Sequence, residues 1–152
     1  MKFLRDKIDQ IKKPFEKGQK FEKYAEVFDL TSFLHRQDWP AFIHYMIKSR
    51  NIDIVMQSNS YFGFYAIPWL KSEFPEVVFT DYLHSANWSW RNGEYPRDST
   101  AIDSFLDKTY TCTKVLRQSM KEDMGRTIDN VETVYIGVDE EEFDSNKINI
   151  TD

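Results

Sequence analysis

Ile52-Asp53-Ile54-Val55-Met56, then Ser58-Asn59-Ser60, and later Glu76-Val77-Val78-Phe79-Thr80-Asp81-Tyr82 form the passage that decides the fold. Both apolar runs are short and carry few polar breaks, as expected of strands buried on both faces of a parallel sheet. The Ser-Asn-Ser segment between them supplies helix caps, so residues 61–74 read as a helix. Pro68 inside it predicts a kink or an early break. Strand, helix and strand in this order make one βαβ unit.

Toward the N-terminus, Val27-Phe28-Asp29-Leu30 reads as a further short strand. Asp38 is placed to cap the next helix, with Pro40 in its first turn. Trp39, Phe42, Ile43, Met46 and Ile47 there follow the spacing of a helix that packs one face on a sheet. Before that, residues 2–13 carry an amphipathic stripe of Phe3, Leu4, Lys7, Ile8 and Ile11. Pro14 and Gly18 end it, and a polar linker runs to about residue 25.

Toward the C-terminus, the stretch from Leu83 to Arg97 has no clean period and reads as a long connection, a place where function often resides. Asp98 or Ser99 is expected to cap a helix with Ile102, Phe105 and Leu106 facing inward. Thr109-Tyr110-Thr111-Cys112 reads as a strand. Thr113 caps a helix carrying Val115, Leu116, Ser119, Met120 and Met124 on one face, and Gly125 stops it. Residues 131–136 form the last strand, and the tail after Phe143 is polar. The expectation is an α/β fold: a mainly parallel, Rossmann-like three-layer sheet of about five strands with helices on both faces. Residues 1–25 are read as helix and linker, 26–143 as a single α/β domain, and 144–152 as a polar tail.

The net charge of −5 argues against a broad nucleic-acid partner, which needs a basic face to neutralise phosphates. Excess lysine in the first 23 residues (Lys2, Lys7, Lys12, Lys13, Lys17, Lys20, Lys23) reads first as a solvated helix face and second as a site of peripheral membrane contact. One cysteine, Cys112, permits no intrachain disulfide and suits a reducing compartment. No signal-like segment follows Met1, and no apolar run approaches the ~18–20 residues of a membrane span. A cytoplasmic location is therefore expected. The histidines have no metal-ligand spacing, and neither of the two commonest phosphate-loop signatures is present, so no metal and no cofactor is expected.

Ligands of open parallel sheets bind outside the carboxyl ends of the strands. That rule nominates Ser58-Asn59-Ser60, His84 and its loop, Cys112-Thr113, and Gly137-Val138-Asp139. Helix N-termini at Tyr61 and Lys114 aim N–H groups at the same edge. The run from Trp88 to Arg97 mixes flat rings with hydrogen-bonding heads, the chemistry of a sugar or sugar-phosphate site, and equally that of a loop pinned by its own aromatics. The candidate residues are His84 as the reacting-centre group, with Asn59, Ser60, Gly63, Trp88, Arg91, Asn92, Tyr95, Arg97, Thr113 and Gly137 as substrate-binding groups.

Three segments resemble a known family. The first is Asp53-Ile54-Val55-Met56 with Ser60, Gly63 and Pro68-Trp69-Leu70-Lys71. The second is the strand Val77 to Tyr82 with His84 after it. The third runs from Thr109 to Gly125, then from Val131 to Asp139 with Phe143. Together, from Ile52 to Phe143, they are similar to the later part of the N-terminal, acceptor-side domain of the retaining GT-B glycosyltransferases of the group-one, family-four type. The loop Trp90-Arg91-Asn92-Gly93-Glu94-Tyr95 resembles a subgroup found in bacterial polysaccharide synthesis.

The resemblance implies transfer of a sugar from a nucleotide-sugar donor to a glycan or lipid-linked acceptor. His84 would touch the donor sugar or the reacting region, and the loop from Trp88 to Arg97 would shape the acceptor site. The family's donor-binding domain would follow Phe143, and the glycine-rich loop usual after its first strand is not visible before Val27. The chain therefore reads as an acceptor-side piece, inactive alone. A competing reading is a non-catalytic α/β module that pairs with a separate partner or oligomerises through an exposed interdomain surface. A nucleotide-sugar epimerase is a weaker third, against which the missing dinucleotide fingerprint counts.

Overall fold

The computed structural model describes residues 24–137. The expected helix at 2–13, most of the linker, Val138, Asp139, Phe143 and the tail lie outside the described residues. The described residues fall into two compact units that divide between Asp53 and Ile54.

In the first unit the expected strand at Val27–Leu30 is absent. The Asp29 side chain accepts from the Thr31 amide and from its hydroxyl, at 3.1 and 2.6 Å, and closes a 3-10 turn over Leu30–Ser32. This local bond offers the backbone an alternative to a ladder. Helix α1 (Trp39–Arg50) has Pro40 in its first turn and ends at Asn51, which takes the left-handed conformation (φ 50°). Asp38 precedes α1 but makes no side-chain cap bond, because it already ends a 3-10 turn over Arg36–Asp38. Phe42 is buried between edge-on contacts from Phe28 and Phe33, with ring centroids 5.8 and 5.7 Å away.

The second unit holds β1 (Ile54–Ser58), α2 (Tyr61–Glu73), β2 (Val78–Leu83), α3 (Glu94–Ala101), β3 (Lys108–Thr111), α4 (Lys114–Met124) and β4 (Val131–Thr133). The four strands form one all-parallel sheet in the order β1-β2-β3-β4, so the fold is α/β and Rossmann-like. The fifth expected strand is the turn at Leu30.

Register places Gln57, Asp81 and Thr109 side by side. On that face Gln57 lies under Gly63 of α2, Lys71 of α2 sits over Phe79, and Arg126 just after α4 reaches Thr109. The three helices therefore cover one face, as sequential order with right-handed crossovers requires. The core beneath them joins Phe64, Leu83, Cys112, Leu116, Met120 and Met124. The other face carries Ile54, Met56 and Val78, which are 62%, 64% and 38% exposed, and the ion pair Lys108–Glu132.

Several boundaries differ from expectation. Helix α2 continues through Pro68 to Glu73, held by the burial of Phe64, Ala66, Ile67 and Leu70. Helix α3 begins at Glu94, so the connection after β2 is shorter than expected and Asp98 and Ser99 lie inside the helix rather than capping it. Pro96 falls in the first turn, where its missing N–H costs nothing. Phe105 sits in a 3-10 turn and is exposed, whereas Leu106 is buried. Cys112 lies just past β3. Val115 is 79% exposed, since it cannot share an inward face with its neighbour Leu116. Strand β4 stops at Thr133, and Val134 adds one further bond to the Thr111 carbonyl. No helix among the described residues is long and apolar enough to cross a membrane.

Candidate functional site

The C-terminal ends of β1, β2 and β3 deliver the candidate residues to one edge of the sheet, and pleating divides them into two groups. Ser58 and Tyr82 are paired neighbours on the face away from the helices. His84, two residues past Tyr82, turns its ring the same way. Its Nε2 lies 2.9 Å from Ser58 Oγ, and the ring meets Tyr82 edge-on with centroids 4.9 Å apart. The Cys112 thiol donates to the His84 carbonyl across 2.7 Å, so backbone and ring tip are both held. The Tyr82 hydroxyl donates to the Val134 carbonyl at 2.8 Å. Burial, and to a lesser degree Cys112, pushes the Tyr82 phenol above its ordinary pKa.

The second group lies over the helix layer. Tyr61 opens α2, and its ring meets Trp90 at 5.6 Å and Tyr95 at 4.8 Å. The Arg91 guanidinium stacks over Tyr61 at 4.1 Å and pairs with Asp98 at 3.0 Å. Burial pushes the Asp98 carboxyl up, and Arg91 pulls against that rise. Trp88 and Trp90 stay 45% and 42% exposed, leaving two indoles open to a ligand beside a guanidinium. The chain turns sharply here: Arg91, Asn92, Gly93 and Glu94 all have positive φ, from 50° to 118°. Consecutive left-handed residues are strained unless the surroundings fix them, and such strain gathers at functional sites.

The other candidates hold this frame together. Asn59 takes the left-handed conformation (φ 45°) between β1 and α2, and its Oδ1 is buried without a partner. Ser60 caps α2 by accepting from the Gly63 amide at 3.1 Å. Gly63 lets the helix approach the sheet, since a Cβ there would meet Gln57 Oε1 at 2.9 Å. The Asn92 carbonyl accepts from Arg97 Nε at 3.0 Å, which closes the loop. Tyr95 stacks on Phe64. Thr113 caps α4 by accepting from the Leu116 amide at 3.0 Å. Gly137 is exposed, with open space around its Cα.

The sequence reading named Tyr61 only as a helix start and Ser58 only as part of an edge segment, and it gave no role to the rings of Tyr61 and Tyr82 or to the Ser58 hydroxyl. Sheet register brings Ser58 beside Tyr82 across 24 positions of sequence, and no local pattern reports it. It also missed a buried polar cluster at the centre of the sheet. Asp81 and Arg126 are 0% and 2% exposed. Arg126 donates to the Ser99 carbonyl at 2.7 Å and to Thr109 Oγ1 at 3.0 Å. Burial raises the Asp81 pKa; the Ser99 and Thr109 hydroxyls and the Arg126 charge oppose the rise and are outweighed. Neither carboxylate oxygen has a partner at full hydrogen-bond geometry.

Among the described residues no group of three His, Cys, Asp or Glu side chains is arranged to hold a metal ion. A groove of about 390 Å³ lies beside β4, lined by Lys114, Arg117, Gln118, Val131, Glu132 and Thr133. Its Arg117 is engaged by the carbonyls of Val131 and Ile128 at 2.7 and 3.2 Å. No family model matches this chain, and no curated protein sequence matches it.

Proposed function

We propose that these residues form the acceptor-side half of a retaining, GT-B-type glycosyltransferase that passes a sugar from a nucleotide-sugar donor to a glycan or lipid-linked acceptor. The observation that carries this reading is His84, pinned by Ser58 and Cys112 at the C-terminal rim of a parallel sheet. The exposed indoles of Trp88 and Trp90 with Arg91 add surfaces that suit sugar rings. The sequence resemblance from Ile52 to Phe143 supports the same reading.

In this reading His84 meets the reacting sugar, while Trp88, Trp90 and Arg91 hold the acceptor. Transfer requires charge to be stabilised from both walls of a cleft, and the described residues supply one wall. The isolated 152-residue chain therefore binds saccharides but turns over no nucleotide sugar.

The test is titration of the ¹⁵N-labelled chain with short oligosaccharides, beside a turnover assay with UDP-glucose and GDP-mannose. Shifts confined to the Trp88 and Trp90 indoles and the rim amides, without turnover, are expected. Silence of those resonances toward every saccharide, or robust transfer by the chain alone, would overturn the proposal.

A second reading, a partner-binding module without catalysis, draws on the exposed row of Ile54, Met56 and Val78. Sedimentation of the chain tests it: self-association lost in Met56→Glu would favour this reading.

A further inference from the structure

We infer that Ser58 is a positioning residue that fixes the tautomer of His84, donating its hydroxyl proton to Nε2 so that the ring presents Nδ1–H to the ligand. This inference, the direction of the Ser58–His84 bond included, rests on the reading of His84 as the group that meets the sugar.

A neutral imidazole has one N–H and one lone pair, and the partner of one nitrogen decides what the other offers. Here Nε2 is occupied, with Ser58 Oγ at 2.9 Å. Nδ1 is then the nitrogen left for anything that arrives at the rim. Ser58 is well placed to impose this choice. It is the last residue of β1, its backbone is locked in register with Tyr82, and its hydroxyl projects from a strand rather than a loop.

The ring is exposed and has two neighbours besides Ser58 that shape its surroundings. Tyr82 supports it edge-on, and the Cys112 thiol holds the His84 carbonyl. Among the described residues no ion pair engages His84, so its orientation depends on a neutral hydrogen bond.

The direction of that bond follows from the chemistry of the ligand. Sugar hydroxyl, ring and phosphoryl oxygens all accept hydrogen bonds, so a ring that serves them must donate. A donor at Nδ1 requires a lone pair at Nε2, and the Ser58 hydroxyl can satisfy that lone pair. Free histidine side chains in water favour the opposite tautomer, with the proton on Nε2. The preference assigned to His84 is therefore imposed by its neighbour and has a spectroscopic signature.

The experiment is a long-range ¹H–¹⁵N correlation of the imidazole rings in the full chain at mildly alkaline pH. His84 is identified by its loss in His84→Gln. The wild type is expected to show His84 mainly as the Nδ1–H form. Ser58→Ala is expected to lose that form in favour of Nε2–H, and Ser58→Thr to restore it. An Nε2–H form in the wild type, or no change in Ser58→Ala, would overturn the assignment. The wild-type spectrum alone decides if the alanine variant does not fold. Titration of the wild type with UDP-glucose and with short oligosaccharides separates the two layers. If His84 keeps the Nδ1–H form but no ligand moves its resonances, the tautomer stands and its role toward a sugar is refuted.

Discussion

Arg126 donates to the carbonyl oxygen of Ser99 across 2.7 Å, joining the residue after the α4 stop to the middle of α3 beneath the helix layer. The same guanidinium bonds Thr109 of β3. One buried side chain thus ties two helical segments to the sheet, with Asp81 as its neighbouring opposite charge.

Removing it should be severe. Arg126→Met strips a donor from the Ser99 carbonyl and from Thr109 Oγ1 and leaves Asp81 without a compensating charge. The expected loss is about 3 kcal/mol in urea unfolding. Arg126→Lys should recover only part of this, because an ammonium cannot span both acceptors as the planar fork does.

The acid-range stability should carry two opposite signatures. The folded-state pKa of Asp81 is raised, so as pH climbs past the ordinary carboxylate range the unfolded chain releases its proton first and the folded chain retains it. Stability falls through that window and levels once the folded carboxyl also ionises, and Asp81→Asn should abolish the fall. The Asp107 carboxyl is lowered by Lys71 and by the Phe79 amide, against burial. Its contribution is present above the ordinary value and lost as pH falls through the folded one. Asp107→Asn should therefore weaken the fold at neutral pH and converge with the wild type in acid. Urea titrations between about pH 3 and pH 8 check both.

Gly93 should tolerate no side chain. Its φ is 118°, and a Cβ would stand 2.8 Å from Met124 Cε. Met124 can yield, but the backbone cannot, so Gly93→Ala should cost about 1–2 kcal/mol. The Trp88 and Trp90 fluorescence should report a loosened loop in the same variant.

The aromatic platform should act on ligand as well as on the loop. Trp90→Ala is expected to weaken oligosaccharide binding by up to about tenfold, and to lower the unfolding midpoint through its lost contacts with Tyr61 and Tyr95. Arg91→Lys should also weaken it, since an ammonium does not stack on Tyr61 as a guanidinium does. Titration calorimetry measures both.

Much of this was legible because it is local. Thr113 caps the helix it was expected to cap, Ser60 is the member of the Ser58-Asn59-Ser60 segment that caps α2, and Gly125 ends α4 at φ 71°. Strands β1 and β2 were readable from their apolar runs, but the burial of both faces expected of them is not met, since Ile54, Met56 and Val78 are exposed on the face away from the helices. What failed depended on chemistry that runs against composition or across distance. Val27 to Leu30 looks apolar enough for a strand, yet Asp29 spends its carboxylate on the next turn. Three non-glycine residues at positive φ disguised the start of α3 as loop. The pairing of Ser58 with His84 depends on register, and that of Asp81 with Arg126 on packing between layers. Neither leaves a mark in a stretch of neighbouring residues.

The phenol of Tyr82 touches two things at once: the ring of His84 and, through its hydroxyl, the backbone just beyond β4. One side chain therefore spans β3 to join the exit of β4 to the rim histidine, so Tyr82→Phe would cut the bond at Val134 while leaving a ring beside His84.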